Sequence, residues 1–226
     1  MAREFLGRSG LAWESVNIVD GSEGTRRWER TGRPIVPSVS IDGAVEPVLH
    51  VSQLAAAVGV AARPTLSSTQ LARDTLLVLD AWLAGIRPLA LEALLESTPA
   101  RARSLRNLTV NVFHPFELLP TAWDTGAFPW DPDEDAAREQ TLTTADRLVG
   151  YATGIRSFWG AFVDRRGAKL SRSDRAIVSP RGDVTFSVLL DVQRWHAAFH
   201  LRQLDAVLDT HLLPELAELA LPADVF

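Results

Sequence analysis

The chain contains no cysteine in its 226 residues, which excludes disulfides, thiolate zinc sites and any cysteine nucleophile. Lysine is nearly absent as well: of 23 basic residues only Lys169 is one. With abundant Ala, Leu and Asp, that bias points to a GC-rich genome rather than to a function. No run reaches about 18 uncharged apolar residues, the minimum for a membrane span. The start, "MAREFLGRSG", lacks the apolar core of a signal peptide. An excess of positive charge is also missing. The formal net charge is −5, against the basic face that nucleic acid or an acidic membrane calls for. These absences lead us to expect a soluble cytoplasmic protein with neither nucleic-acid nor membrane partners. What is present is globular in kind: 46% of the residues are hydrophobic and 23% charged, enough for a sizeable core.

The length suits one large domain or two modest ones. Composition and punctuation change near residue 62, which divides the chain into residues 1–61 and 62–226. In the first piece, "REFLGRSG" reads as a short helix stopped by Gly10, and "SVNIVD" (15–20) reads as a strand. "SEGTRRWERTG" opens on an N-cap serine, Ser22, and stops at Gly32. "PSVSIDG" and "AVEPVLH" flank Asp42-Gly43, a strong hairpin signal. "VSQLAAAVG" closes the piece as a helix. The predicted order is helix, strand, helix, strand, strand, helix.

That order, together with "RPIVPSVSIDG" (33–43), resembles the glutaredoxin branch of the thioredoxin fold. The resemblance carries Val36-Pro37 and Ile41-Asp42-Gly43 onto the family's Val-Pro pair and the turn that follows. It implies a cis Pro37 and a Val36 backbone able to dock the cysteinyl part of a thiol. The family's first strand and its Cys-x-x-Cys motif are not in this sequence. The implied module is therefore truncated, either decayed to a structural piece or read from a downstream start, and it is incapable of dithiol chemistry.

The second piece shows four helical stretches. Residues 66–86 carry Leu71, Leu76, Leu79 and Leu83 at near-helical spacing behind a Ser67 or Ser68 cap. Residues 100–114 continue toward Trp123, with a kink or restart expected at Pro115, because a residue before proline is biased away from helix. A solvated loop, "DTGAFPWDPDEDAAREQ", precedes a helix over 143–163, on which Phe158, Trp159 and Phe162 read as core. After a further loop, residues 184–212 form the longest helix. The fold expected is α+β in two modules, a small α/β module followed by a four-helix bundle.

On the last helix, Leu189, Gln193, His196, His200, Gln203 and Val207 follow the alternating spacing of a seam that a bundle buries. A buried imidazole without a partner costs about 1–3 kcal/mol, so this polar stretch needs something to bind. Histidines at i and i+4 lie one above the other and can share a metal ion. The same spacing also suits a hydrogen-bonded core pair. Of the remaining histidines, His211 lies about 16 Å further along the helix and His50 belongs to the first piece. That leaves His114, on the apolar segment "LTVNVFH", to face the pair. Glu117 and Asp191 are further candidates that no spacing singles out.

A histidine on the second helix and a terminal "WHAAFHLRQL" resemble the DinB/YfiT-like metal-binding four-helix bundles, over about residues 65–212. The resemblance implies a metal triad of His114, His196 and His200, with open positions for water or substrate. Zinc is the default ion for such nitrogen ligation, with nickel and iron as alternatives. The resemblance further implies a metal-dependent thiol transferase. Its ion would activate a low-molecular-weight thiol such as mycothiol or bacillithiol for attack on a small electrophile. Gln203 and Gln193 would orient the site. Arg202 would hold an anionic group of the cosubstrate, unless it is a salt-bridged surface arginine. A hydrolase using metal-bound water, and a non-catalytic binding or structural protein with a vestigial metal site, are the alternatives. Bundles of this size often pair, which leaves a homodimer open.

Overall fold

The computed structural model describes residues 2–18, 22–32, 38–48, 50–60, 66–98, 103–172, 174–180 and 182–208. The chain separates into two compact units, one beginning at Met1 and running to Thr65, the other spanning Leu66–Leu221. The first is mixed α and β with a small antiparallel sheet. The second is mostly helical.

In the first unit, helix α1 (Ala2–Ser9) and helix α2 (Glu23–Arg30) precede a hairpin of β1 (Ser38–Ile41) and β2 (Ala44–Pro47), and helix α3 (Val51–Ala57) follows. Ser22 caps α2, accepting the Thr25 amide. The hairpin is antiparallel, with Ile41 opposite Ala44. It turns through Asp42 and Gly43 with φ of 50° and 86°, the left-handed pair that a two-residue hairpin demands. His50 caps α3 in a reciprocal box with Gln53, so this histidine has a structural task. The strand expected over 15–20 is not formed at residues 15–18, which carry no regular secondary structure; residues 19 and 20 lie outside the described residues. Strand propensity expresses how well a residue fits a pleated, half-buried surface, and Ser15, Val16 and Asn17 remain exposed. Val36 and Pro37 lie outside the described residues.

The second unit is built on four long helices: α4 (Ser68–Ile86), α6 (Leu105–Thr125), α8 (Ala145–Arg166) and α9 (Phe186–Leu208). Ser67, Ser104 and Thr144 cap the first three, each accepting an amide of the opening turn. A short helix α5 (Leu91–Leu95) lies between α4 and α6. A 3-10 turn (Gly167–Arg172) and a two-residue antiparallel pair, β3 (Ala176–Ile177) with β4 (Val184–Thr185), lie between α8 and α9.

Helix α4 packs on α8 and α9, and α6 packs on the same two, so α4 and α6 stand diagonally. Cross-links give the directions. Ser68 meets Ser187 and Asp74 meets Arg194, so α4 and α9 are parallel. Thr75 meets Trp159 and Asp80 meets Arg156, so α4 and α8 are antiparallel. Phe116 and Trp123 meet Trp159 and Phe162 in that order, so α6 follows α8. The result is an up-down-down-up bundle. Its core holds Leu71, Leu79, Trp82, Phe113, Phe116, Trp159, Phe186 and Leu190, all fully enclosed. Two buried indoles are satisfied by threonines that themselves donate to helix carbonyls. Trp159 Nε1 donates to Thr75 at 2.8 Å and Trp82 Nε1 to Thr109 at 3.1 Å.

Three expectations change here. Helix α6 passes through Pro115 and Pro120 without ending. Each proline forfeits one backbone bond, but both residues are buried, and that packing holds the helix. Phe158 is 45% exposed and Val207 39% exposed, so neither belongs to the core. The stretch expected as a solvated loop contains helix α7 (Pro132–Thr141). Asp131 caps it, Pro132 occupies the first turn, and Asp133, Glu134 and Asp135 face its positive end. Among the described residues no helix is long and apolar enough to cross a membrane.

Candidate functional site

The polar stretch of α9 does lie inward. His200 is 4% exposed, Gln193 and Gln203 are buried, and His196 is half-buried. His196 Nε2 stands 3.1 Å from His200 Nε2 and 3.1 Å from Asn111 Oδ1 of α6. His200 Nδ1 lies 2.7 Å from Gln203 Oε1. One proton assignment satisfies all three contacts. His200 donates from Nδ1 to the Gln203 carbonyl, which leaves its Nε2 as an acceptor. His196 donates from Nε2, shared between His200 Nε2 and Asn111 Oδ1. The lone pair of one Nε2 is then occupied, and the other nitrogen carries the proton. The two rings meet edge to face at a centroid distance of 4.7 Å.

His114 is fully buried, but not with this pair. It lies three residues beyond Asn111, and that step turns it about 60° around the helix axis, toward α7. There His114 Nδ1 contacts Asp135 Oδ1 at 2.5 Å. Its Nε2 is 3.4 Å from Arg138 Nη2 and 3.8 Å from Glu134 Oε2. Because a guanidinium only donates, Nε2 accepts and Nδ1–H is given to Asp135. The structure thus brings His196, His200 and Gln203 together with Asn111, and leaves His114 out.

The expected metal triad is therefore overturned. Among the described residues no group of three or more His, Asp or Glu side chains is gathered so as to hold a metal ion. With it go the divalent ion as cofactor, zinc, nickel or iron alike, and the metal-dependent thiol transferase with its mycothiol or bacillithiol cosubstrate. The hydrolase reading falls as well. The physical reason is the competing partner: Asp135, on α7, takes the imidazole that the triad needed. Glu117 and Asp191 do not replace it. Glu117 Oε2 is 3.0 Å from Arg138 Nη1, and Asp191 pairs with Arg194 at 3.0 Å. Arg202 is 8% exposed, so its side chain is buried and not at the surface. Two residues on from His200, it projects about 200° around the helix from that imidazole.

Two further polar groups are assembled only by the packing of the helices. One is an ion triad in which Arg194 lies between Asp74 and Asp191, with both Arg194 and Asp74 buried. Burial raises the Asp74 carboxyl above its ordinary range, with Arg194 opposing the shift and Asp191 adding to it. The other is the group of Glu117, Arg138 and Tyr151 beside His114. The Arg138 guanidinium sits 5.4 Å from the centre of the Tyr151 ring. Burial pushes the Tyr151 phenol upward, Arg138 opposes this, and the Glu117 and Asp135 carboxylates reinforce it, so the phenol remains a neutral donor. "DPDED" was a readable helix start that would have brought Asp135 and Arg138 into view. Nothing in the spacing marked Asn111 or Tyr151.

Comparison with protein-family models, curated proteins and solved structures finds no match to this chain.

Proposed function

We propose that the chain is a non-catalytic binding or structural protein built on a four-helix bundle, in which the histidine pair of α9 closes a hydrogen-bonded polar layer between α6 and α9. The observation that carries this reading is the chain of contacts Asn111–His196–His200–Gln203, all between 2.7 and 3.1 Å. It answers, within the protein, the demand that the buried imidazoles make for partners. Such a layer favours one register of α6 against α9, because sliding either helix would strand polar groups in the core. The "WHAAFHLRQL" stretch supports a relation to DinB/YfiT-type bundles, with the histidine pair as the vestige of a metal centre. The hairpin and its flanking helices support a thioredoxin-like origin for the first unit.

The test is chemical unfolding of untagged protein with zinc, with EDTA and with neither, alongside metal analysis of the purified chain. Substoichiometric metal and coincident unfolding curves are expected, and His200→Ala should lose about 1–3 kcal/mol as Gln203 and His196 lose a buried partner. One bound ion per chain, or a zinc-dependent rise in the unfolding midpoint abolished by His196→Ala, would overturn the reading.

A further inference from the structure

Helix α7 is attached to the bundle in an unusual way. Its only buried residue is Asp135. Its side-chain links to α6 are polar: Asp135 to His114, Arg138 to Glu117, and Glu139 to both Arg106 and Asn107. Phe128 and Leu142, the residues that flank it, are buried and tether its two ends. A helix held by polar contacts between apolar anchors lies at the low-stability end of a fold and can swing out while its ends stay fixed.

What it covers is built for a cation. Glu117 of α6, the face of the Tyr151 ring on α8 and the accepting Nε2 of His114 surround one position. The chain's own Arg138 occupies that position, over an aromatic face and beside a carboxylate, as a guanidinium prefers. It fits poorly. Although Glu117 Oε2 and Arg138 Nη1 are close, they are not aligned as a hydrogen bond, and the bond to His114 is long at 3.4 Å. Glu117 Oε2, Arg138 Nε and Tyr151 Oη are all buried with no hydrogen-bond partner among the described residues.

We propose that Glu117, His114 and Tyr151 form a binding site for a small guanidinium compound, closed in this conformation by Arg138 acting as an internal plug on a detachable α7. This goes beyond the reading of the α9 layer and is independent of it, since the two sites share no residue. An incoming alkylguanidinium is free of the helix and can align both donor edges with Glu117 and the phenol oxygen. In the native chain it must first displace Arg138, which reduces its apparent affinity by the fraction of molecules in which α7 is open.

Tyr151 is the only tyrosine in the sequence, so ring-labelled tyrosine gives one NMR signal reporting on this site. Titration with ethylguanidinium, against sodium chloride at equal ionic strength, is expected to move that signal saturably in the native chain. In Arg138→Ala the midpoint should fall by about tenfold as the plug is removed. In the double variant Glu117→Gln/Arg138→Ala the response should be lost. An equal midpoint in native chain and Arg138→Ala, an undiminished response in the double variant, or an equal response to sodium chloride would each overturn the proposal. Should Arg138→Ala fail to fold, the native titration decides by itself: a saturable shift specific to guanidinium supports the site, and its absence removes it.

Discussion

Replacing Arg194 with alanine should be among the most damaging single changes in the bundle, and the damage should depend on pH. Arg194 reaches Asp74 of α4 at 3.4 Å and Asp191 of its own helix at 3.0 Å, with both Arg194 and Asp74 buried. Deleting the cation takes from the buried Asp74 carboxyl the guanidinium that offsets its burial and the charge of Asp191. Removing one partner of a buried pair costs about 3–5 kcal/mol, which for a unit of this size lowers the melting temperature by about 6–20 °C. The sign of the pH effect follows from Asp74. Its carboxyl is raised in the fold by burial, so folding takes up protons between the ordinary carboxylate value and the raised one. Stability from this group is fully present below its ordinary value and is lost as pH rises through the folded value. Without Arg194 the shift grows, so the deficit should be largest at neutral pH and shrink toward pH 4. Urea unfolding of both proteins across that range measures it. A loss below about 1 kcal/mol, the level of an exposed pair, or a deficit independent of pH would refute the argument. Leucine at both positions 74 and 194 should recover most of the loss, because well-packed apolar groups replace a buried pair at little net cost.

Thr75→Val should lose about 1–3 kcal/mol in the same assay, because it keeps the shape but strands the Trp159 indole donor in the core. Asp131→Ala removes the cap that accepts the Asp133 amide; a loss of about 0.5–2 kcal/mol should show as faster amide exchange across residues 132–141, with the four long helices unaffected.

Much of the helical unit was legible in the sequence. A cap at Ser67 or Ser68 was readable because a short hydroxyl before an apolar period has one favourable use, and Ser67 takes it. The Asp42-Gly43 hairpin was readable because few residue pairs tolerate two left-handed positions. The inward polar face of α9 was readable from spacing alone, down to His200, Gln193 and Gln203. The errors came where a partner decided the outcome. Residues 15–18 have strand composition but form no strand among the described residues. Pro115 sets a local bias against helix at His114, and packing overrides it, because α6 runs on through both. His114 is buried, as its place on an apolar segment suggests, yet the direction in which it faces depends on the docking of α7.

By itself, the sequence determined what the chain cannot use and where its periodicities lie. Without cysteine no thiolate chemistry is open to it, and the apolar repeats of α4, α6, α8 and α9 require that those helices bury a face against one another. These are properties of residue type and spacing, and they hold whatever the packing. Tertiary structure decided the partners. Whether His114 joined a histidine pair or an aspartate was set by a rotation of about 60° around one helix and by the docking of a short helix beside it. A hydrogen bond acts over about 3 Å, so a choice between partners on different helices is made only when those helices pack.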